Sequence, residues 1–314
     1  MPKNHRVVLV PGVTGVTRLA LGLPGLVYFR GWTGVLRGLG YSVTRAWQPP
    51  ADTLQPCVLS LERQLAPLVA GGHKVHLVGH SRGGLVARAV AARNPGWVRS
   101  VTCAGTPHRG QYIYDQALGG AFLMPSQLKA FLALMTGWDR SGVGMLAQIR
   151  DGNVRALERF NQSTPNHSDI AYADIRGSLE QRLPGWLLAG VGRAIERADA
   201  DVGVLPWEAW LRGYWQGFQS SHYGADIDVV RFISGLKERR HDGAVFAEAA
   251  VNPWGLGNSS LAPAGAHRVA DYVWAMDHME QCGLSPMPSL PFEVAAWESG
   301  FLQPADAQPN WQPT

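Results

Sequence analysis

The sequence predicts an α/β fold, a mostly parallel central sheet with helices on both faces. Two observations carry this. Through the first 110 residues, short apolar runs of strand length alternate with stretches of helical period, which implies parallel strands joined by helical crossovers. One of those runs, Val75-His76-Leu77-Val78, ends in Gly79-His80-Ser81-Arg82-Gly83 and passes straight into a helical pattern with Leu85, Val86, Ala89 and Val90 on one face. That is G-x-S-x-G in its required context of strand, sharp turn and helix.

The elements follow in order. Residues 6–10 read as a fully buried strand, closed by the loop Pro11-Gly12-Val13-Thr14-Gly15. Residues 28–39 are helix-like and 41–46 form a second strand. Residues 59–69 have helical period, and 74–78 are the strand before Ser81. The helix after Ser81 stops at Asn94-Pro95-Gly96, because proline and glycine end it. Residues 98–104 are the next strand, followed by Gly105-Thr106-Pro107-His108-Arg109-Gly110. From 112 to 210 the signals are mainly helical, with a β pattern resuming at 171–177. Within this stretch 121–135 is strongly apolar, with Phe122, Leu123, Phe131, Leu132 and Met135 at helical spacings. It reads either as a core helix or as a cap over an apolar pocket. Beyond Pro286 several prolines and the lack of a strong period predict an extended tail over 286–314, lying on the surface. The whole, 1–314, is expected to be one domain with an insertion at about 112–210.

Composition narrows the function. The chain has 314 residues, 46% hydrophobic and 17% charged, ample for a large core. Its formal charge of +4 is thinly spread, and no basic stripe interleaved with aromatics suggests nucleic-acid binding. Three cysteines, Cys57, Cys103 and Cys282, lack paired spacing, which argues against a disulfide framework or a zinc site. No apolar run is long enough to span a bilayer. The N-terminus reaches glycine too soon for a signal-peptide core, which favours a cytoplasmic location over the alternative of a secreted mature form.

The turn around Ser81 forces a strained backbone and lifts the hydroxyl clear of the sheet, and the following helix points its positive end at the site. A serine hydroxyl needs a base, and the base needs an orienting carboxylate. His278 follows an apolar stretch that reads as the last strand, which favours it over His267. Asp242 precedes Gly243 in a turn, which favours it over Asp226 and Asp228. The developing oxyanion needs two N–H donors, assigned to the backbone of Arg82 and of Val13. Backbone donors leave the side chains at 13 and 82 free to vary.

These residues resemble the bacterial triacylglycerol lipases of the Pseudomonas and Burkholderia type, in the α/β-hydrolase superfamily. The likeness is dense from Val7 to about Gly110, in VVLVPGVTG, YFRGWTGVLRGLGYSV, KVHLVGHSRGGLVARAVAARNP and SVTCAGTPHRG. It returns in ALERFN, HDGAV and RVADYVWAMDHMEQ. By position in those motifs it implies an α/β-hydrolase fold with a helical lid, Ser81, Asp242 and His278 as triad, and Val13 and Arg82 as oxyanion hole. It implies hydrolysis of carboxylic esters with apolar acyl chains, a small-molecule or lipid substrate and transient contact with a lipid interface. Acyltransferase, thioesterase, lactonase and phospholipase chemistry would use the same triad. A non-catalytic binding protein of this fold would have no need of all three residues. The family's usual His-Gly in the oxyanion loop is Pro11-Gly12 here. No cofactor is required, although many members hold a structural calcium, for which Asp226, Asp228 and Glu280 are the candidate ligands.

Overall fold

A computed structural model describes residues 6–12, 28–49, 52–110, 143–177, 269–276, 278–283 and 287–307. Six strands are β1 (Arg6–Val10), β2 (Ser42–Arg45), β3 (Val75–His80), β4 (Val98–Ala104), β5 (Ala171–Gly177) and β6 (Ala270–Trp274). They form one sheet in the order β2-β1-β3-β4-β5-β6, and every pair is parallel. The helices are α1 (Arg30–Gly38), α2 (Leu54–Val69), α3 (Arg82–Arg93), α4 (Val143–Gly152), α5 (Val154–Ser163), α6 (His278–Gln281), α7 (Leu290–Trp297) and α8 (Gln303–Ala307). A π-helical turn, Glu298–Leu302, joins the last two. Among the described residues no helix is long and apolar enough to cross a membrane.

Side chains of a strand alternate between faces, and here each face has its own core. Val7 and Leu9 of β1 join Trp32 and Leu36 of α1 and Trp297 and Phe301 near the C-terminus. Val8 and Val10 join Cys57, Leu61 and Leu65 of α2 and Val86 and Val90 of α3. A continuous apolar strand such as VVLV therefore signals burial on both faces.

The predicted extended tail at 286–314 is corrected over 287–307, most of which is helical and packed. Leu290, Val294, Trp297, Phe301 and Ala305 are buried, and their spacings of four, three, four and four are a helical stripe. Pro291 lies in the first turn of α7, where a missing N–H costs no hydrogen bond. Gly31 lets α1 approach this segment, for a Cβ there would lie 2.8 Å from Leu290 Cδ2. Two polar ties pin it to the sheet. The Tyr41 hydroxyl donates to Glu298 Oε1 at 2.7 Å, and His76 Nε2 lies 2.7 Å from Asp306 Oδ1.

The chain leaves β1 toward β2 on one side and returns to place β3 on the other. The loops after β1 and β3 thus diverge at the carboxyl edge, the crevice in which open α/β sheets hold their ligands. Pro11-Gly12 follows β1 and Ser81 follows β3.

Candidate active site

The elbow is built from backbone contact. Ser81 has φ 55° and ψ −130° and is one of only two non-glycine residues with positive φ among the described residues. Its N–H donates to the Ala104 carbonyl at 2.8 Å, and its own carbonyl accepts from Gly84 N–H at 3.1 Å. The flanking glycines have a steric cause. A Cβ on Gly79 would sit 2.5 Å from the carbonyl group of Gly83, and one on Gly83 would fall on the Val10 carbonyl oxygen. Neither obstacle is a flexible side chain, so helix α3 can start this close to β1 and β3 only with glycine at both positions.

Arg82 opens α3, where first-turn N–H groups have no acceptor within the helix. Its side chain is not free to vary, contrary to the expectation above. The guanidinium donates to the Asp52 carbonyl, to the Pro49 carbonyl at 3.3 Å and to Cys57 Sγ at 3.2 Å. It clamps the loop after β2 against the elbow. Burial pushes the Cys57 thiol up, so this sulfur stays a neutral acceptor.

Gly12 touches the elbow from the other side. A Cβ there would lie 2.9 Å from Ser81 Cβ and 3.2 Å from the His80 carbonyl oxygen. Val13, the second proposed oxyanion donor, is the next residue and lies outside the described residues. His278 opens α6, four residues past the end of β6, and is 7% exposed. Its ring centroid is 4.5 Å from that of His80, the residue before Ser81, and its carbonyl is 2.7 Å from His80 Nε2. The sequence-predicted base is thereby brought against the elbow. Asp242, its rivals Asp226 and Asp228, the alternative base His267 and the apolar segment 121–135 all lie outside the described residues.

Two residues that sequence reasoning left without a role stand in this site. Tyr28, just before α1, receives the Gly12 N–H on its hydroxyl at 3.1 Å, and that hydroxyl is 2.5 Å from His80 Nδ1. Burial pushes the Tyr28 phenol well above its usual range, so it remains protonated. Nothing in the local pattern of VYFRGW announces such a partner.

A second buried polar group lies behind α3. Arg88 donates to His108 Nδ1 at 3.0 Å, to Asn161 Oδ1 at 2.9 Å and to the Thr164 carbonyl at 3.2 Å. His108 Nε2 is 3.2 Å from Asp174 Oδ1. Burial pushes His108 below its usual range, so the ring is neutral, accepting from Arg88 and donating to Asp174. Cys103, His108 and Asp174 present ligand-type atoms within 4.8 Å of one another. The set does not suit a metal ion. Arg88 already supplies a positive charge beside Asp174, and the ring nitrogens of His108 are both engaged, one by Arg88 and one by Asp174. Of the candidate calcium ligands only Glu280 is described, buried on α6, so that ligand set is not assembled among the described residues.

Residues 6–142 match the family model for the alpha/beta hydrolase fold. A triacylglycerol lipase of Vibrio cholerae is 30% identical over 174 residues, covering 52% of this chain and 54% of that protein. The chain thus spans about half the length of this relative. Among solved structures, the Staphylococcus hyicus lipase superposes with a TM-score of 0.55 at 17% identity, covering 94% of this chain and 95% of that one. Lipase 1 from Pelosinus fermentans gives 0.57 at 18% identity, covering 94% and 98%. The chain has the α/β-hydrolase fold, and about half of it is similar in sequence to a bacterial triacylglycerol lipase.

Proposed function

We propose that this protein is a serine carboxylic-ester hydrolase, a lipase or esterase, acting through Ser81, His278 and Asp242. The observation that carries the reading is the elbow. A serine held at φ 55° between two sterically required glycines, at the start of α3 and beside a histidine that follows the last strand, is arranged for nucleophilic attack. In the proposed cycle His278 takes the Ser81 proton as Oγ attacks the ester carbonyl, while Asp242 orients the imidazole. The oxyanion rests on the N–H groups of Arg82 and Val13, each such donor lowering the barrier by about 3 kcal/mol. The alcohol departs with the proton from His278, leaving Ser81 acylated. Water, deprotonated by the same histidine, then attacks the acyl carbon, and Ser81 leaves with its proton restored.

The chemistry needs no cofactor, and a calcium ion held by Asp226, Asp228 and Glu280 would act on structure alone. Of the insertion expected at about 112–210 within a single domain, 171–177 is strand β5 of the central sheet and so no part of a cap. The lining of the acyl pocket is assigned to the apolar segment 121–135. Preference for medium and long acyl chains follows from that apolar lining. The test is labelling by a fluorophosphonate, read by peptide mass, together with hydrolysis of p-nitrophenyl esters from acetate to palmitate. Labelling at Ser81 and loss of hydrolysis in Ser81→Ala are expected. Label on another residue, or Ser81→Ala retaining more than a few per cent of the parent rate, overturns the assignment.

A further inference from the structure

We propose that Tyr28 and His80 are positioning residues, which hold the oxyanion loop and the histidine loop in register through one directional chain of hydrogen bonds. The inference rests on Ser81 and His278 acting as nucleophile and base. The chain runs from Gly12 N–H to the Tyr28 hydroxyl at 3.1 Å, from Tyr28 to His80 Nδ1 at 2.5 Å, and from His80 Nε2 to the His278 carbonyl at 2.7 Å. It joins positions 16, 52 and 198 residues apart in sequence. All four residues are buried.

The direction of each bond is fixed. A carbonyl only accepts, so His80 Nε2 carries the hydrogen that points at His278. In a neutral ring Nδ1 is then the acceptor and must receive the Tyr28 O–H. The Tyr28 oxygen keeps a lone pair for the Gly12 N–H. In that tautomer every donor in the chain meets an acceptor, with Cys282 a further hydrogen-bond neighbour of the Tyr28 hydroxyl. The ring planes add a steric fix. His80 is flanked by Tyr28 at 5.6 Å, Phe29 at 6.4 Å and His278 at 4.5 Å between centroids.

The two ends of this chain are the two places where placement matters most. Gly12 carries the amide before the proposed Val13 donor, and the His278 carbonyl belongs to the proposed base itself. His80 lies between them, one residue from Ser81. A small displacement of either end moves a reacting group, and misplacement on that scale is felt in the chemical step more than in ground-state binding.

The experiment uses Tyr28→Phe, His80→Leu, His80→Gln and the double variant Tyr28→Phe/His80→Leu. Rates on p-nitrophenyl butyrate are expressed per site that a fluorophosphonate labels, so unfolded protein does not count. Tyr28→Phe and His80→Leu are each expected to lose at least tenfold in kcat with KM changed less than twofold. The double variant should be no worse than the poorer single, because either change breaks the same chain. His80→Gln should recover most of the rate, since its amide offers an acceptor and a donor at nearly the spacing of the two ring nitrogens. The proposal is overturned by kcat within twofold of the parent in either single variant, by multiplied losses in the double, or by His80→Gln no better than His80→Leu. It is likewise overturned if the variants lose labelled sites but keep the rate per site, the mark of a purely structural role. A parent protein that does not label at Ser81 removes the catalytic reading itself, a distinct result.

Discussion

Replacing Ser81 by glycine should leave a more stable protein than replacing it by alanine, although both variants are inactive. Both remove the hydroxyl, so the comparison isolates the Cβ. At φ 55° and ψ −130° a residue with a Cβ is held in a sparsely populated region, at a cost of about 1–3 kcal/mol that glycine avoids. Glycine also loosens the unfolded chain, which offsets about 0.4–1 kcal/mol. The net is about 1 kcal/mol in favour of Ser81→Gly. Unfolding entropy is about 2.1 cal/mol/K per residue, which over 314 residues converts that difference to about 1.5 °C. Paired calorimetric scans in one buffer resolve such a gap, and urea midpoints check it. If Ser81→Ala melts at or above Ser81→Gly, the elbow stores no strain and the steric account of the nucleophile's backbone is wrong.

Gly83→Ala should destabilise by about 1–3 kcal/mol or more, because its Cβ falls on a backbone carbonyl of β1. A urea midpoint like the parent's would contradict the packing described. Trp297→Ala should lose about 3–5 kcal/mol, since its ring is fully buried against Trp32 and Phe301. A melting temperature within 2–3 °C of the parent, at roughly the conversion used above, would return the C-terminal segment to a surface role. His108 is held below its usual range by burial, so the unfolded chain takes up that proton first as the medium is acidified. Its contribution is therefore full above about pH 6.5 and is lost as pH falls toward the depressed folded value. The stability gap between the parent and His108→Gln should be widest at alkaline pH and narrow on acidification. A gap constant across that range would show that His108 does not titrate with unfolding.

The strands β1, β3 and β4 were legible because burial on both faces leaves an unbroken apolar run that few helices imitate. The elbow was legible because its glycines answer to local backbone contacts, as Gly79 against Gly83 shows. The helices after Pro286 are hard to read from sequence because several prolines also mark extended chain. Pro291 occupies a first turn, and the stripe from Leu290 to Ala305 was present in the sequence throughout. Strand β3 was expected to end at Val78 and runs on to His80, because Gly79 continues pairing with β1 and β4. Tyr28 and His80 could not be paired from sequence, since no periodicity links residues 52 apart. The same holds for Arg88 of α3 and Asp174 of β5, which meet through His108.

The ties between the start of α1 and the end of α6 bear on the order in which the proposed site is assembled. Phe29 N–H donates to the Cys282 carbonyl and Trp32 Nε1 to the Gln281 carbonyl, each at 2.7 Å. The latter spans 249 residues. A ribosome delivers the nucleophile's strand, turn and helix early, as a local unit able to condense alone. The loop of His278 follows His80 by 198 residues and is seated by long-range contacts, which form slowly. During synthesis Ser81 therefore emerges well before its proposed base, His278. A chain that has emerged through the elbow but not through His278 cannot complete the proposed site.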